Sequence, residues 1–298
     1  MTLVAPTAPD DLMDFWEEAV AEALAAPLDC DRSLRNDYET PGFVVEKIAF
    51  RGIDAMARHG WFAYPPHARR VPAFLWTPPY GRESKLPDVY GTREGFASLS
   101  FNFFGESSFH QEAYLPDRGY FSIGADDPGH WVFRSMFQDA VIALRILQAQ
   151  VEVDEDRIGA MGMSQGGGMS IWLGAWCPLV RAVVADMPFL CCVADTLSRG
   201  VHRYPLKELT DFMEEIPLGR ERVLNTVAYY DTAVQAAHCR VPTQVALGLK
   251  DPSCRPPNVR AAFEQLPGPR NLVVYDWGHD WHPDMVETNR SWLLQAMV

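Results

Sequence analysis

The chain has 298 residues and a formal charge of −13, from 26 basic and 39 acidic side chains. Nucleic-acid binders gather Lys and Arg on one face, and no basic run occurs here, which argues against a phosphate-backbone partner. With 48% hydrophobic and 22% charged residues, the composition is that of a globular chain with a large core rather than a disordered one. At ~150 residues per domain the length suggests two domains, yet α/β sheets of this size often form one. No apolar stretch reaches the ~18 residues of a membrane-spanning helix, and no membrane partner is expected. Met1 to Asp14 show no basic region followed by an apolar one, so a secretory signal is not expected. The six cysteines, Cys30, Cys177, Cys191, Cys192, Cys239 and Cys254, contain no C-x-x-C pair and no zinc spacing. Free thiols and a cytoplasmic location are expected.

Leu12, Phe15, Trp16, Ala19, Val20 and Ala23 recur at helical spacing, with Asp10 and Asp11 placed to cap the helix N-terminus. This segment is expected to form an N-terminal helical extension, residues 1–40, packed on the body. Three apolar runs follow as strands, Phe43 to Phe50, Gly60 to Tyr64 and Val71 to Thr77, and Gly95 to Phe104 reads as a fourth. Thereafter helices and strands alternate. A helix from about Arg134 to Gln150 precedes a strand at Arg157 to Met163, a helix at Gln165 to Trp176 and a strand at Arg181 to Met187. Polar helical sequence near Leu206 to Glu215 and a helix near Asp231 to His238 come next. A strand at Thr243 to Leu249, a helix near Asn258 to Leu266, a strand at Asn271 to Asp276 and a helix near Pro283 to Met297 end the chain. Strands alternating with helices of this length predict an α/β fold whose mostly parallel sheet is covered on both faces. No repeat or flexible linker divides it, so one domain over residues 1–298 is expected.

The most informative segment is Gly162-Met163-Ser164-Gln165-Gly166, between a predicted strand and a predicted helix. In a G-x-S-x-G elbow the serine occupies a strained turn, and the glycines are required because a Cβ would collide with neighbouring backbone. The turn lifts the Ser164 hydroxyl above the sheet edge and places the Gln165 N–H where it can donate to an oxyanion. A hydroxyl needs a base to become nucleophilic, and the base needs a carboxylate to hold its tautomer. With this elbow the chain order is Ser, then acid, then His. Asp251 and His279 follow late strands and fit those roles. Asp186 and Asp276 are rival acids; the sequence HDWH places His282 near His279, a weak metal signal without a third ligand. His59, His67, His110, His130, His202 and His238 read as surface or loop residues. A second oxyanion donor is expected after the third strand, in Trp76-Thr77-Pro78-Pro79-Tyr80-Gly81, where Tyr80 is the candidate. Trp131 and Trp281, and less so Trp76 and Phe189, are candidate cleft aromatics. Cys191-Cys192 reads as a pair of buried thiols.

These residues resemble the acetyl xylan esterase and cephalosporin C deacetylase family of serine carbohydrate esterases. DFWEEAVAEAL is similar to its leading helix, GYFSIGADDPGHWVFRSMFQDAV to the segment before the nucleophile strand, and VDEDRIGAMGMSQGGG to the nucleophile region. ADMPFLC, AYYDTA, GLKDPSCRPP and GHD follow in family order. The resemblance implies the α/β-hydrolase fold, with Ser164 as nucleophile, Asp251 as acid, His279 as base, and the N–H groups of Tyr80 and Gln165 as oxyanion hole. It further implies an acyl pocket sized for acetyl groups on sugars or sugar-like molecules, neither metal nor organic cofactor, and homo-oligomers, often hexamers. Three departures stand out. Phe104-Gly105-Glu106 replaces the family's Arg-Gly-Gln, the following insertion from Ser107 to about Asp117 is short, and His279-Asp280 replaces a terminal His-Glu. The expected function is hydrolysis of acetyl esters through an acyl-enzyme. The alternatives are a deacetylase or acyltransferase of a secondary metabolite, or a silent hydrolase-fold binding module.

Overall fold

The computed structural model describes residues 6–35, 38–80, 86–103, 119–201 and 203–298. Among the described residues, nine strands form one sheet: β1 (Cys30–Leu34), β2 (Val44–Arg51), β3 (Ala57–Tyr64), β4 (Val71–Thr77), β5 (Ala97–Phe101), β6 (Val153–Met163), β7 (Ala182–Asp186), β8 (Thr243–Gly248) and β9 (Arg270–Tyr275). Their order across the sheet is β1-β2-β3-β5-β4-β6-β7-β8-β9. The β1, β2, β3 and β5 pairings are antiparallel, and all pairings from β5 through β4 to β9 are parallel. The parallel strands β5, β7 and β8 and the second half of β6 are buried at every position. Continuous apolar runs such as Ile158 to Met163 allow this, because helices cover both faces.

The covering helices are α1 (Leu12–Ala25), α2 (Val132–Gln148), α3 (Gln165–Trp176), α4 (Val193–Ser198), α5 (Leu206–Glu215), α6 (Gly219–Tyr230), α7 (Thr232–Ala236), α8 (Pro256–Gln265) and α9 (Met285–Ala296). The expected α1 is present and anchored by polar contacts from the body. Trp16 Nε1 donates to the Tyr229 carbonyl at 3.1 Å, and Arg145 Nη1 of α2 donates to the carbonyls of Ala23 and Ala26 at 3.0 and 2.5 Å. Those carbonyls close a helix whose last turn holds no basic residue of its own, so α2 supplies the missing donors. Asp11 does not cap α1 through its side chain as expected. Its carboxylate instead accepts the Tyr229 hydroxyl at 2.6 Å, a stronger tether to a distant element.

Three elements escaped the sequence. In β1 the sequence CDRSL has no apolar alternation; the strand is fixed by Arg32, which donates to Glu46 at 2.6 Å and to Glu152 at 2.9 Å. The short α4 and the α6 helix, which opens on the polar run Gly219-Arg220-Glu221-Arg222, are likewise not among the predicted elements. The fourth strand is shorter than Gly95 to Phe104, because Gly95 has φ +83° and ends the preceding turn.

Candidate active site

Ser164 lies between β6 and α3 with φ 57° and ψ −118°, a strained conformation for a residue with a Cβ. The surroundings enforce it. The Ser164 N–H donates to the Asp186 carbonyl at 2.9 Å, and the Ser164 carbonyl accepts the N–H groups of Gly168 and Phe189 at 3.1 and 2.8 Å. A Cβ on Gly162 or Gly166 would overlap Thr77 or the turn backbone, so both glycines let α3 approach β4. Thr77 completes the packing: its hydroxyl lies 2.8 Å from the Gly166 carbonyl and 3.1 Å from Ser170 Oγ.

Asp251 and His279 reach Ser164 because two loops run side by side. The N–H groups of Leu249 and Lys250, after β8, donate to the carbonyls of Tyr275, the last residue of β9, and Trp277, just beyond it, each at 2.9 Å. This pairing brings His279 Nδ1 to 2.7 Å from Asp251 Oδ2 and His279 Nε2 to 3.0 Å from Ser164 Oγ. Asp251 is buried, and its Oδ1 accepts the N–H groups of Ser253 and Cys254, each at 2.8 Å. An acceptor-only carboxylate facing Nδ1 fixes the proton on that nitrogen and leaves the Nε2 lone pair toward the serine hydroxyl. The arrangement can take a proton from Ser164 and return it to a leaving group.

The rival acids lie elsewhere. Asp276 pairs with Lys250 at 2.8 Å on the surface. Asp186 is fully buried under the elbow, where Asn289 Nδ2 donates to its Oδ2 at 2.7 Å, and burial pushes its pKa up to about 6. His282 stacks on Tyr275 and accepts the Asp284 N–H at 3.2 Å, a packed loop residue. Cys254 adds a buried thiol whose Sγ lies within 4.8 Å of ligand atoms on Asp251 and His279. Burial, and then the Asp251 charge, raises that thiol's pKa well above its ordinary value.

Tyr80 sits three residues beyond β4, and Gln165 opens α3, so its N–H has no intrahelical acceptor. The structure links the two through Tyr120, whose ring lies 4.9 Å from that of Tyr80 and whose hydroxyl donates to Gln165 Oε1 at 3.0 Å. Gly81, Phe104-Gly105-Glu106, the 107–117 insertion, His110 and His202 lie outside the described residues.

Trp131 corrects an expectation. It is 1% exposed, packed against Phe121, Phe133 and Tyr230, and its Nε1 donates to the Phe121 carbonyl at 2.7 Å. The indole finds its acceptor inside the core, so it cannot face a cleft. Phe189 is buried beneath the elbow and Trp76 is wholly buried, whereas Trp281 is half-buried with its ring 5.3 Å from Trp76 and 5.8 Å from Tyr90. A cavity of about 220 Å³ is lined by Phe189, Tyr204, Leu206, Pro252, Ser253 and Arg255, among others, the Pro252-Ser253 pair directly following Asp251 in the chain. Sequence reasoning missed Thr77, Tyr120 and Glu208 near the site. Glu208 sits in polar helical sequence that gives no hint of a carboxylate turned inward.

Sheet order, elbow and the Ser-His-Asp arrangement define an α/β-hydrolase fold. The sequence profile of the family described as acetyl xylan esterase (AXE1) matches residues 4–295. The chain belongs to the acetyl xylan esterase family, and with it to the carboxylic ester hydrolases. Acetyl esterase Axe7A of Xylanibacter ruminicola is 23% identical over 297 residues, covering 96% of this chain, and the chain spans 66% of that relative's length. The solved acetyl xylan esterase from Paenibacillus sp. R4 superposes with a TM-score of 0.87 at 23% identity, over 99% of this chain and 97% of that one. Acetyl xylan esterase 1 from Thermoanaerobacterium sp. JW/SL YS485 gives 0.86 at 24% identity, over 99% and 96%.

Proposed function

We propose that the chain is a serine esterase that removes acetyl groups from acetylated sugars or sugar-like small molecules through an acyl-enzyme. The carrying observation is the continuous hydrogen-bond chain from Ser164 Oγ through His279 to Asp251, at 3.0 and 2.7 Å, on a strained elbow. His279 Nε2 takes the Ser164 proton as Oγ attacks the acetyl carbonyl. The Tyr80 and Gln165 N–H groups stabilise the oxyanion, and His279 passes the proton to the departing alcohol oxygen. Water then gives its proton to His279 and attacks the acetyl-serine; as the Oγ–acyl bond breaks, His279 returns that proton to Ser164 Oγ and acetate is released. Each step uses protein groups alone, so neither metal nor organic cofactor is required.

The family supports the acetyl preference. The cavity lined by Phe189, Pro252 and Ser253, the last two directly following Asp251 in the chain, supports a compact alcohol portion. Acetate release measured across acetylated monosaccharides, xylo-oligosaccharides, polymeric xylan and a cephalosporin tests the reading. Turnover of acetylated sugars is expected, and acetate release from none of the four overturns it. The proposal includes one α/β-hydrolase domain over residues 1–298, a cytoplasmic location and homo-oligomers up to the hexamer, which light scattering would measure. Six unpaired thiols support the reducing compartment. Among the described residues, no helix is long and apolar enough to cross a membrane.

A further inference from the structure

Glu208, in the first turn of α5, is fully buried beside the segment that precedes α2. Its two carboxylate oxygens have separate tasks: Oε1 accepts the Tyr80 hydroxyl, and Oε2 accepts the Phe121 N–H at 2.9 Å. Gly119 is part of the fit, since a Cβ there would overlap the Tyr80 phenol oxygen. From this anchor two contacts run toward the elbow. The Tyr80 ring packs on that of Tyr120, and the Tyr120 hydroxyl donates to the Gln165 side chain at 3.0 Å. The carbonyl of Phe121 is held in turn by Trp131 Nε1.

We infer that Glu208 is a positioning residue for the oxyanion hole, acting through the Tyr80 phenol and, by way of Tyr120, on Gln165. This rests on the esterase reading above. The two residues whose N–H groups receive the oxyanion lie on separate elements, the β4 loop and the start of α3. The ladder between β4 and β6 ends at the Thr77–Gly162 pair, three residues short of each of those N–H groups, so beyond it their relative position depends on loop contacts, side chains among them. A carboxylate serves this purpose because it only accepts, and in a dry site its two donors cannot be exchanged for water without stranding a charge. An anchor of this kind holds the donors ready before the oxyanion forms, which lowers the barrier rather than tightening ground-state binding.

The test uses the full-length chain with Tyr80→Phe, Glu208→Gln and the double variant. Tyr80→Phe removes only the phenol contact and keeps the ring and the backbone N–H. Glu208→Gln turns an amide N–H toward one of the two donors. Melting temperature, kcat and KM for an aryl acetate, and affinity for a boronic acid that mimics the tetrahedral intermediate are measured. Each single variant is expected to lose ~10 to 100-fold in kcat, with KM changed less than ~2-fold and boronate affinity reduced in parallel with kcat. The double variant should lose less than the product of the two single losses, because the Tyr80–Glu208 contact is shared by both substitutions. Folded single variants with wild-type kcat overturn the inference, as do losses that multiply in the double. If Glu208→Gln does not fold, Tyr80→Phe decides alone. Full activity in Ser164→Ala would defeat the esterase reading itself, whereas wild-type kcat of Tyr80→Phe in a Ser164-dependent enzyme defeats only the role of Glu208.

Discussion

Gly166, in the first turn of α3, and Thr77, at the end of β4, meet backbone to backbone, and any Cβ on Gly166 would overlap the Thr77 carbonyl. This contact lets the helix sit close enough for Ser164 to project from the turn. Gly166→Ala is therefore expected to destabilise the fold by about 1–3 kcal/mol or more, as overpacking does, and to lower kcat by displacing Ser164. Thermal denaturation together with aryl acetate turnover checks both. An unchanged melting temperature with full activity would contradict the close packing.

Asp251 receives two backbone N–H groups on Oδ1 and the histidine on Oδ2. Asp251→Asn can keep the backbone contacts but presents an amide N–H to His279 Nδ1, favouring the tautomer with its proton on Nε2. That proton blocks the transfer from Ser164. A loss of kcat on the order of 10,000-fold with little change in melting temperature is expected. Steady-state kinetics on the folded variant would show it.

Trp131 and Trp281 should separate by what they disturb. Trp131→Phe removes a buried hydrogen bond and some core volume, so a stability loss of about 1–3 kcal/mol is expected, with KM unaffected. Trp281→Ala removes a half-buried ring and is expected to raise KM for acetylated oligosaccharides while costing less stability. Denaturant melts and KM values on both variants make the comparison.

Asp186 contributes a pH dependence. Its pKa is 3.8 ordinarily and is raised to about 6 in the fold by burial, which outweighs the Asn289 hydrogen bond and the Arg93 charge. A carboxyl with a raised folded pKa is neutral in both states below 3.8, and its burial penalty grows from there until pH 6. Stability from this group is therefore lost as pH rises through that window. Asp186→Asn should gain little over wild type at pH 4 and more above pH 6, by at most about 3 kcal/mol at ~1.4 kcal/mol per unit. Denaturant melts at the two pH values check it; an equal gain at both would contradict the assignment.

The sequence carried the parallel half of the sheet well, because apolar runs such as Thr243 to Gly248 are buried on both faces and bounded by turns. It also carried Ser164, Asp251 and His279 as candidates, since the elbow imposes a glycine pattern and the chain order places acid and base after late strands. It could not reveal β1, whose five residues are held by the Arg32 contacts to Glu46 and Glu152 across long sequence separations. Nor could it place Trp131, whose indole has an internal acceptor that only the tertiary fold provides. Glu208 stayed hidden for a related reason: a glutamate in a polar helix reads as solvated until its two donors, 128 and 87 residues away, are seen beside it.

The central claim is tested most directly by acetate release from an acetylated sugar by Ser164→Ala, alongside wild type. Measurable release by wild type and none above background from a variant with wild-type melting temperature are expected. Release by the folded variant at the wild-type rate would contradict it.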